Sequence, residues 1–306
     1  VYYAATNFPP EYHGNTFVGN VMTCRINRDS FIEYGSTRIA KEEPDFVRCD
    51  DPWFRPVDLQ LGSDGALYIA DFYNRIIGHY EVPLDHPGRD RERGRIWRIV
   101  YTGKAKARAP DLALPKSTSR LIAELRHPNL NRRMLAMNEL VDRIGPAVVR
   151  PVEKMLRAKS TSPEQKAHGL WVLHRLGALA DGILGEAAAN SNRVVRVHAL
   201  RIIGESFSAM ALPPNFQQLA LRGLNDPDPF VQRAAVDALR QHPRNSEGGD
   251  SSAIDQLLDL LRRLPSADSQ LVHVCRMALR NHLMMPGAFA HLESLHLDET
   301  RARLVA

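Results

Sequence analysis

The strongest constraint in this chain is a self-similar segment that returns along its second half. Placing Ala136, Gly169, Ala199 and Ala235 in one register aligns "NRRMLAMNEL", "EQKAHGLWVL", "VVRVHALRII" and "FVQRAAVDAL". Each copy follows a polar or proline-containing break ("RHPNLN", "KSTSPE", "NSN", "NDPDP"), and before the break stands another amphipathic segment such as "AVVRPVEKMLR" or "FQQLALRGL". Apolar residues at i, i+3, i+4 and i+7 predict helices. The small residue lets two helices approach, and a helix pair buries its apolar stripe on the next pair. A fifth pair is predicted at 252–264 and 269–283. The expectation is an α-α repeat solenoid over 118–285, with 286–306 the start of a further repeat or a linker.

The first hundred residues obey a different period. "GNTFVGNVMTCRIN", "PVDLQLGSDG", "ALYIADFY" and "GRIWRIVY" are short runs rich in β-branched and aromatic residues, punctuated by Gly, Asp and Asn. This is the pattern of strands, and Asp64-Gly65 between two apolar runs is a hairpin signal. Residues 1–103 therefore read as all-β, and 104–117, with its prolines, alanines and lysines, as a linker. The fold class expected is multidomain, β then α.

Composition bounds the remaining possibilities. The net charge of +5 comes from 40 Lys+Arg against 35 Asp+Glu, spread along the chain rather than massed, which is only weak evidence for a polyanion partner; nucleic acid is not the expected one. The cysteines Cys24, Cys49 and Cys275 form no haem-attachment or zinc spacing; a Cys24–Cys49 disulfide is conceivable but not required. No apolar run reaches the ~18 residues of a membrane span, and "VYYAATNFPP" reads as strand and turn, without the charged-then-apolar pattern of a signal peptide. The chain is expected to be a piece of a longer protein.

The repeat pattern resembles the HEAT repeat family in a loose form with units of about 30 residues. "NDPDPFVQRAAVDALRQ" is its best copy, with Asp-Pro at the turn, paired alanines and Ala238-Leu239. In the β half, "GSDGALYIADFYNRII" has the form of a propeller blade. Together with "FPPEYHGNTFVGNVMTCRINRD" and "RGRIWRIVY" it is similar to the planctomycete-type membrane-bound dehydrogenase-like family. In that family a glucose/sorbosone-dehydrogenase-like β-propeller precedes HEAT-like repeats and often a c-type cytochrome domain. The resemblance implies that 1–103 are the C-terminal blades of an incomplete propeller. It also implies that the parent protein is exported, periplasmic or secreted, and oxidises a sugar or polyol with pyrroloquinoline quinone and calcium, with haem c beyond Ala306, while this fragment alone holds no cofactor and is inactive. The solenoid would then dock a protein partner or electron acceptor. The alternative is a non-catalytic scaffold that binds a carbohydrate or a protein.

Candidate site residues cluster after Asp51. Arg55, in "WFRPVDL", resembles the channel-facing arginine that opens an inner blade strand in quinone-dependent sugar dehydrogenases, where a guanidinium pairs with quinone oxygens. Its other role is to hydrogen-bond between blades. Asp71 ends a strand before Asn74 and Arg75, a substrate- or cofactor-binding set in which the carboxylate would orient a substrate hydroxyl or a cation, or else accept backbone N–H bonds of the following turn. His79 is the candidate general base, because an imidazole titrates near neutrality. His86 and "PGRDRERGR" read as an exposed loop. No metal-ligand set is expected. In the helices, His168 and His198 share one repeat position and read as packing or inter-helix hydrogen bonding, with Trp171 in the core. Arg132, Arg133, Arg196 and Arg233 would line one face, as a grip for phosphates or an acidic protein or as a hydrated rim.

Overall fold

The computed structural model describes residues 1–78, 80–103, 113–206, 212–243 and 252–294. They divide into two compact units, Val1–Ile32 with Ile39–Glu139, and Glu33–Arg38 with Leu140–Ala306.

The first unit holds six strands: β1 (Thr16–Asn20), β2 (Arg25–Tyr34), β3 (Thr37–Arg48), β4 (Pro56–Leu61), β5 (Leu67–Asp71) and β6 (Arg95–Ile99), the Glu33–Arg38 tip of the β2–β3 hairpin being counted with the second unit. They form two three-stranded sheets, β1-β2-β3 and β4-β5-β6. The pairings recorded for β1–β2, β4–β5 and β5–β6 are antiparallel. Each sheet is one strand short of the expected four-stranded blade, and the described residues close no ring. The Asp64-Gly65 hairpin is present: Gly62 N–H donates to Ala66 O at 2.8 Å.

Alternation decides which faces are covered. Leu59 and Leu61 of β4 and Leu67 and Ile69 of β5 join Phe17, Ile26 and Phe54 in one core. Tyr3 is fully buried in it, stacked on Phe8 at 4.5 Å, with its hydroxyl donating to Gly65 O. Burying a ring of this size contributes about 2–3 kcal/mol. Gly19 lies where a Cβ would run into Pro56 O, so the closeness of β1 to β4 depends on glycine. The cysteines are free thiols. Strand β3 lies in a part of the chain where no strand was expected. It carries almost no buried apolar residue and is held to β2 by polar pairs such as Arg25–Asp45 and Ser30–Glu43.

Two helices also belong to this unit, α1 (Thr118–Glu124) and α2 (Leu130–Asn138). The sequence assigns them to the solenoid, yet Asn129 Nδ2 donates to Gly62 O at 2.8 Å, Asn131 Nδ2 donates to Leu61 O and Leu130 N–H donates to Ala4 O. Along the chain the division between the compact units falls after Glu139; most of the expected 104–117 linker lies outside the described residues.

In the second unit a π-helical turn (Glu139–Ile144) and a 3₁₀ turn (Gly145–Val148) lead into α3 (Val149–Arg157), α4 (Pro163–Arg175), α5 (Asp181–Ala188), α6 (Arg193–Ser206), α7 (Pro214–Gly223), α8 (Pro229–Gln241), α9 (Ser252–Arg263), α10 (Ser269–Leu283) and α11 (Ala288–Ser294). The second helices of the pairs, α4, α6, α8 and α10, stack in sequence, and the first helices α3, α5, α7 and α9 each pack on the helix that follows. The small residue of the register is buried in every copy, and Cys275 holds that position in α10. Seven residues before it stands a side-chain cap each time. Asn129, Ser162, Asn192, Asp228 and Asp268 accept from the backbone of Asn131, Gln165, Val194, Phe230 and Leu271.

Candidate functional site

The expected site at the end of β5 is built as a support rather than a cavity. Arg55 is 8% exposed. Its guanidinium donates from Nε to Asn74 O at 3.0 Å, from Nη1 to Val21 O at 2.5 Å and to Cys24 Sγ at 3.4 Å, and from Nη2 to Arg75 O at 3.2 Å. Asp71 accepts from the backbone of Arg55 at 2.8 Å and Tyr73 at 2.9 Å, and from Trp97 Nε1 at 3.0 Å. Asn74 is buried, donating to Asp90 O at 2.7 Å and accepting from Ile76 N–H. Arg75 enters this cluster through its backbone oxygen, its side chain being exposed. The structure therefore brings Arg55, Asp71, Asn74 and the Arg75 backbone together. His79 lies outside the described residues.

This chemistry tests the quinone and calcium that the resemblance implies. An arginine buried with four of its five N–H directions spent on carbonyls and a thiol cannot offer a quinone the two parallel hydrogen bonds of a free guanidinium fork, and Asp71 is engaged by three donors. No group of three His, Cys, Asp or Glu side chains placed to hold a metal ion occurs among the described residues. Arg55 and Asp71, held in this way, do not fit the part in binding a quinone or calcium that the resemblance gives them. The charged loop after His79 likewise bonds to itself, with Arg89 donating to Pro83 O at 3.0 Å and His86 Nδ1 accepting from Gly88 N–H at 3.0 Å.

The second helices carry a different site. Side chains one, two and five residues before the small position, and two after it, line a groove of about 620 Å³ over α6, α8 and α10. Val197 and Arg201 come from α6, Phe230, Arg233 and Asp237 from α8, and Gln270, His273 and Val274 from α10. Phe230 is ringed by cations: the guanidinium carbons of Arg38, Arg193 and Arg233 lie 5.4, 5.0 and 5.4 Å from its centroid. Arg233 Nη1 donates to Ser36 O at 2.8 Å and to Gln270 Oε1. Burial and then the Arg201 charge lower its pKa from the ordinary value.

The arginines that the sequence grouped together do different work. Arg132 pairs with Glu124 at 2.6 Å, and Arg133 and Arg196 turn back onto carbonyls of the preceding break, His127 O and Asn190 O. Only Arg233 lines the groove. Arg201 was missed, because it stands two residues after the small position rather than near the helix start.

Beside the groove, Trp171 Nε1 donates to His198 Nδ1 at 2.9 Å, the inter-helix bond expected at that repeat position. Burial, with Arg201 adding, pushes the His198 pKa down to about 4. The folded state then binds fewer protons than the unfolded chain between pH 6.5 and about 4, so the neutral ring stabilises the fold above pH 6.5 and that stability is lost as pH falls. Compared with a His198→Gln variant, the natural protein should lose about 3 kcal/mol more over this window. Urea unfolding of both proteins at a series of pH values measures the difference.

Residues 180–279 match the family model of HEAT repeats, and residues 1–103 match the model of a domain of unknown function (DUF7133). No curated protein matches the chain. Among solved structures, an engineered protein from the Northeast Structural Genomics Consortium is 18% identical, with 61% of this chain and 92% of that chain covered at a TM-score of 0.36. A designed armadillo repeat protein is 16% identical, with 61% and 96% covered at a TM-score of 0.41. The helix pairs and the HEAT match together define a helical-repeat solenoid, preceded by small antiparallel sheets.

Proposed function

We propose that this chain is a non-catalytic binding scaffold whose solenoid holds a protein partner along α6, α8 and α10. The observation that carries this reading is the groove itself. It is the one place described above where an aromatic ring, aliphatic side chains and cationic groups converge on open space, the mixture that recognises a polypeptide. Stacked second helices make such a surface without any catalytic group.

The second reading is the dehydrogenase-like one, a sugar- or polyol-oxidising propeller with the solenoid docking an electron acceptor. It rests on the family resemblance of 1–103. The cluster around Arg55 favours the scaffold over it, since the residues which would receive substrate and cofactor are spent on holding the two sheets. An exported location, periplasmic or secreted, belongs to the same proposal and has the same basis.

A selection of displayed random peptides on the full chain tests the scaffold. Peptides should be enriched on the natural protein and lost on a Val197→Trp variant, which fills the groove from a half-exposed position. Circular dichroism confirms that the variant folds. Enrichment of no peptide, or of peptides that bind both proteins equally, removes the proposal.

A further inference from the structure

The geometry points to an extended acidic segment of a partner protein as the occupant of this groove, with Arg201 and Arg233 taking its carboxylates beside Phe230. This deepens the scaffold reading and rests on it. The charge balance of the groove separates matched cations from unmatched ones. Arg38 is paired with Glu33 at 2.9 Å and Arg193 with Asp228 at 3.4 Å. Asp237 is taken by Arg240 at 2.7 Å and by Gln241. Arg201 is exposed and makes no hydrogen bond or ion pair among the described residues. Among the described residues Arg233 bonds through Nη1 alone, which leaves Nε and Nη2 without a partner there.

Two guanidinium groups in one groove repel each other, and the Arg201 charge adds to burial, the larger cause, in lowering the Arg233 pKa. An anion between them relieves that repulsion. The planar fork of arginine matches a carboxylate in two parallel hydrogen bonds, which lysine cannot do. Val197 and Val274 supply apolar contact for the aliphatic parts of the same segment, and Phe230 a face already flanked by cations. The acidic residues Glu33, Asp228 and Asp237 around the groove interrupt any continuous positive track. A nucleic acid, which gains affinity by neutralising many successive phosphates, is disfavoured by such a pattern.

Titration of a fluorescein-labelled oligoglutamate peptide into the full chain, read by anisotropy, tests the assignment. Oligoglutamine and single-stranded oligothymidylate serve as comparison probes. Saturable binding of oligoglutamate alone is expected, weakened at least about tenfold by Arg201→Glu. Arg201 has no hydrogen-bond or ion-pair partner among the described residues, so this variant should melt with the natural protein, and Val197→Trp gives an independent loss of binding. No saturable binding of oligoglutamate, an unchanged affinity in Arg201→Glu, or tighter binding of oligothymidylate overturns the assignment. Should the displayed-peptide selection yield groove-dependent sequences without acidic residues, the scaffold stands and the acidic partner falls.

Discussion

Replacing Arg55 with leucine should destabilise the β-rich unit by about 3–5 kcal/mol, through the buried carbonyls it leaves without donors. Val21 O, Asn74 O and Arg75 O all accept from this guanidinium. Val21 is in the turn between β1 and β2, and Asn74 and Arg75 follow β5, so one side chain ties the two sheets together. Lysine at this position should recover little, because a single ammonium cannot reach three carbonyls in a planar fork. Urea unfolding followed by tryptophan fluorescence in a Trp171→Phe background reads this unit alone, since the remaining tryptophans, Trp53 and Trp97, both belong to it. A channel-facing arginine would behave differently: its loss would leave the unfolding midpoint in place and weaken only ligand binding. A shift below about 1 kcal/mol would therefore restore the cofactor role to Arg55.

The helical half was legible because its physics is local. The 3.6 period, the small residue at each crossing and the cap seven residues earlier are all written in short windows, and Asn129, Ser162, Asn192, Asp228 and Asp268 are polar N-cap types. Strand β3 was not legible for the opposite reason. Its "AKEEPD" run has no buried face, and its pairing with β2 depends on charges across the ladder that periodicity cannot register. At the end of β5 the residues were identified but their work was not. Arg55 and Asp71 have residue types suited equally to a ligand or to backbone carbonyls and N–H groups, and only burial distinguishes the two uses. The groove escaped because arginines were gathered by type. Slot within the repeat decides whether a guanidinium turns back on its own loop, as Arg196 does, or lines the groove, as Arg201 does.

The same slot argument yields a sharp contrast between Asp228 and Asp268, which cap α8 and α10 from equivalent positions. Asp228 accepts one backbone N–H and carries a loose, exposed pairing with Arg193, so Asp228→Ala should cost about 1 kcal/mol. Asp268 is 2% exposed and accepts from Ser36 N–H at 2.7 Å, Ser36 Oγ at 3.0 Å and Thr37 Oγ1 at 2.7 Å as well as from its own helix. Thr37 Oγ1 in turn accepts from Gln270 N–H at 2.9 Å, so the Glu33–Arg38 tip completes the cap of α10. Gly35 makes this approach possible: its φ of +60° suits glycine, and a Cβ there would meet the Asp268 carboxylate. Asp268→Ala removes four acceptor contacts at once and strands buried donors, which should cost about 3–5 kcal/mol. In a thermal melt that is a fall of roughly 10 °C, against only a few degrees for Asp228→Ala. Asp268→Asn separates the contributions, since its single carbonyl oxygen can keep the helix cap but not all three contacts from Ser36 and Thr37. It should fall between the other two variants. Equal effects of Asp228→Ala and Asp268→Ala would mean that the hairpin tip adds nothing to the cap.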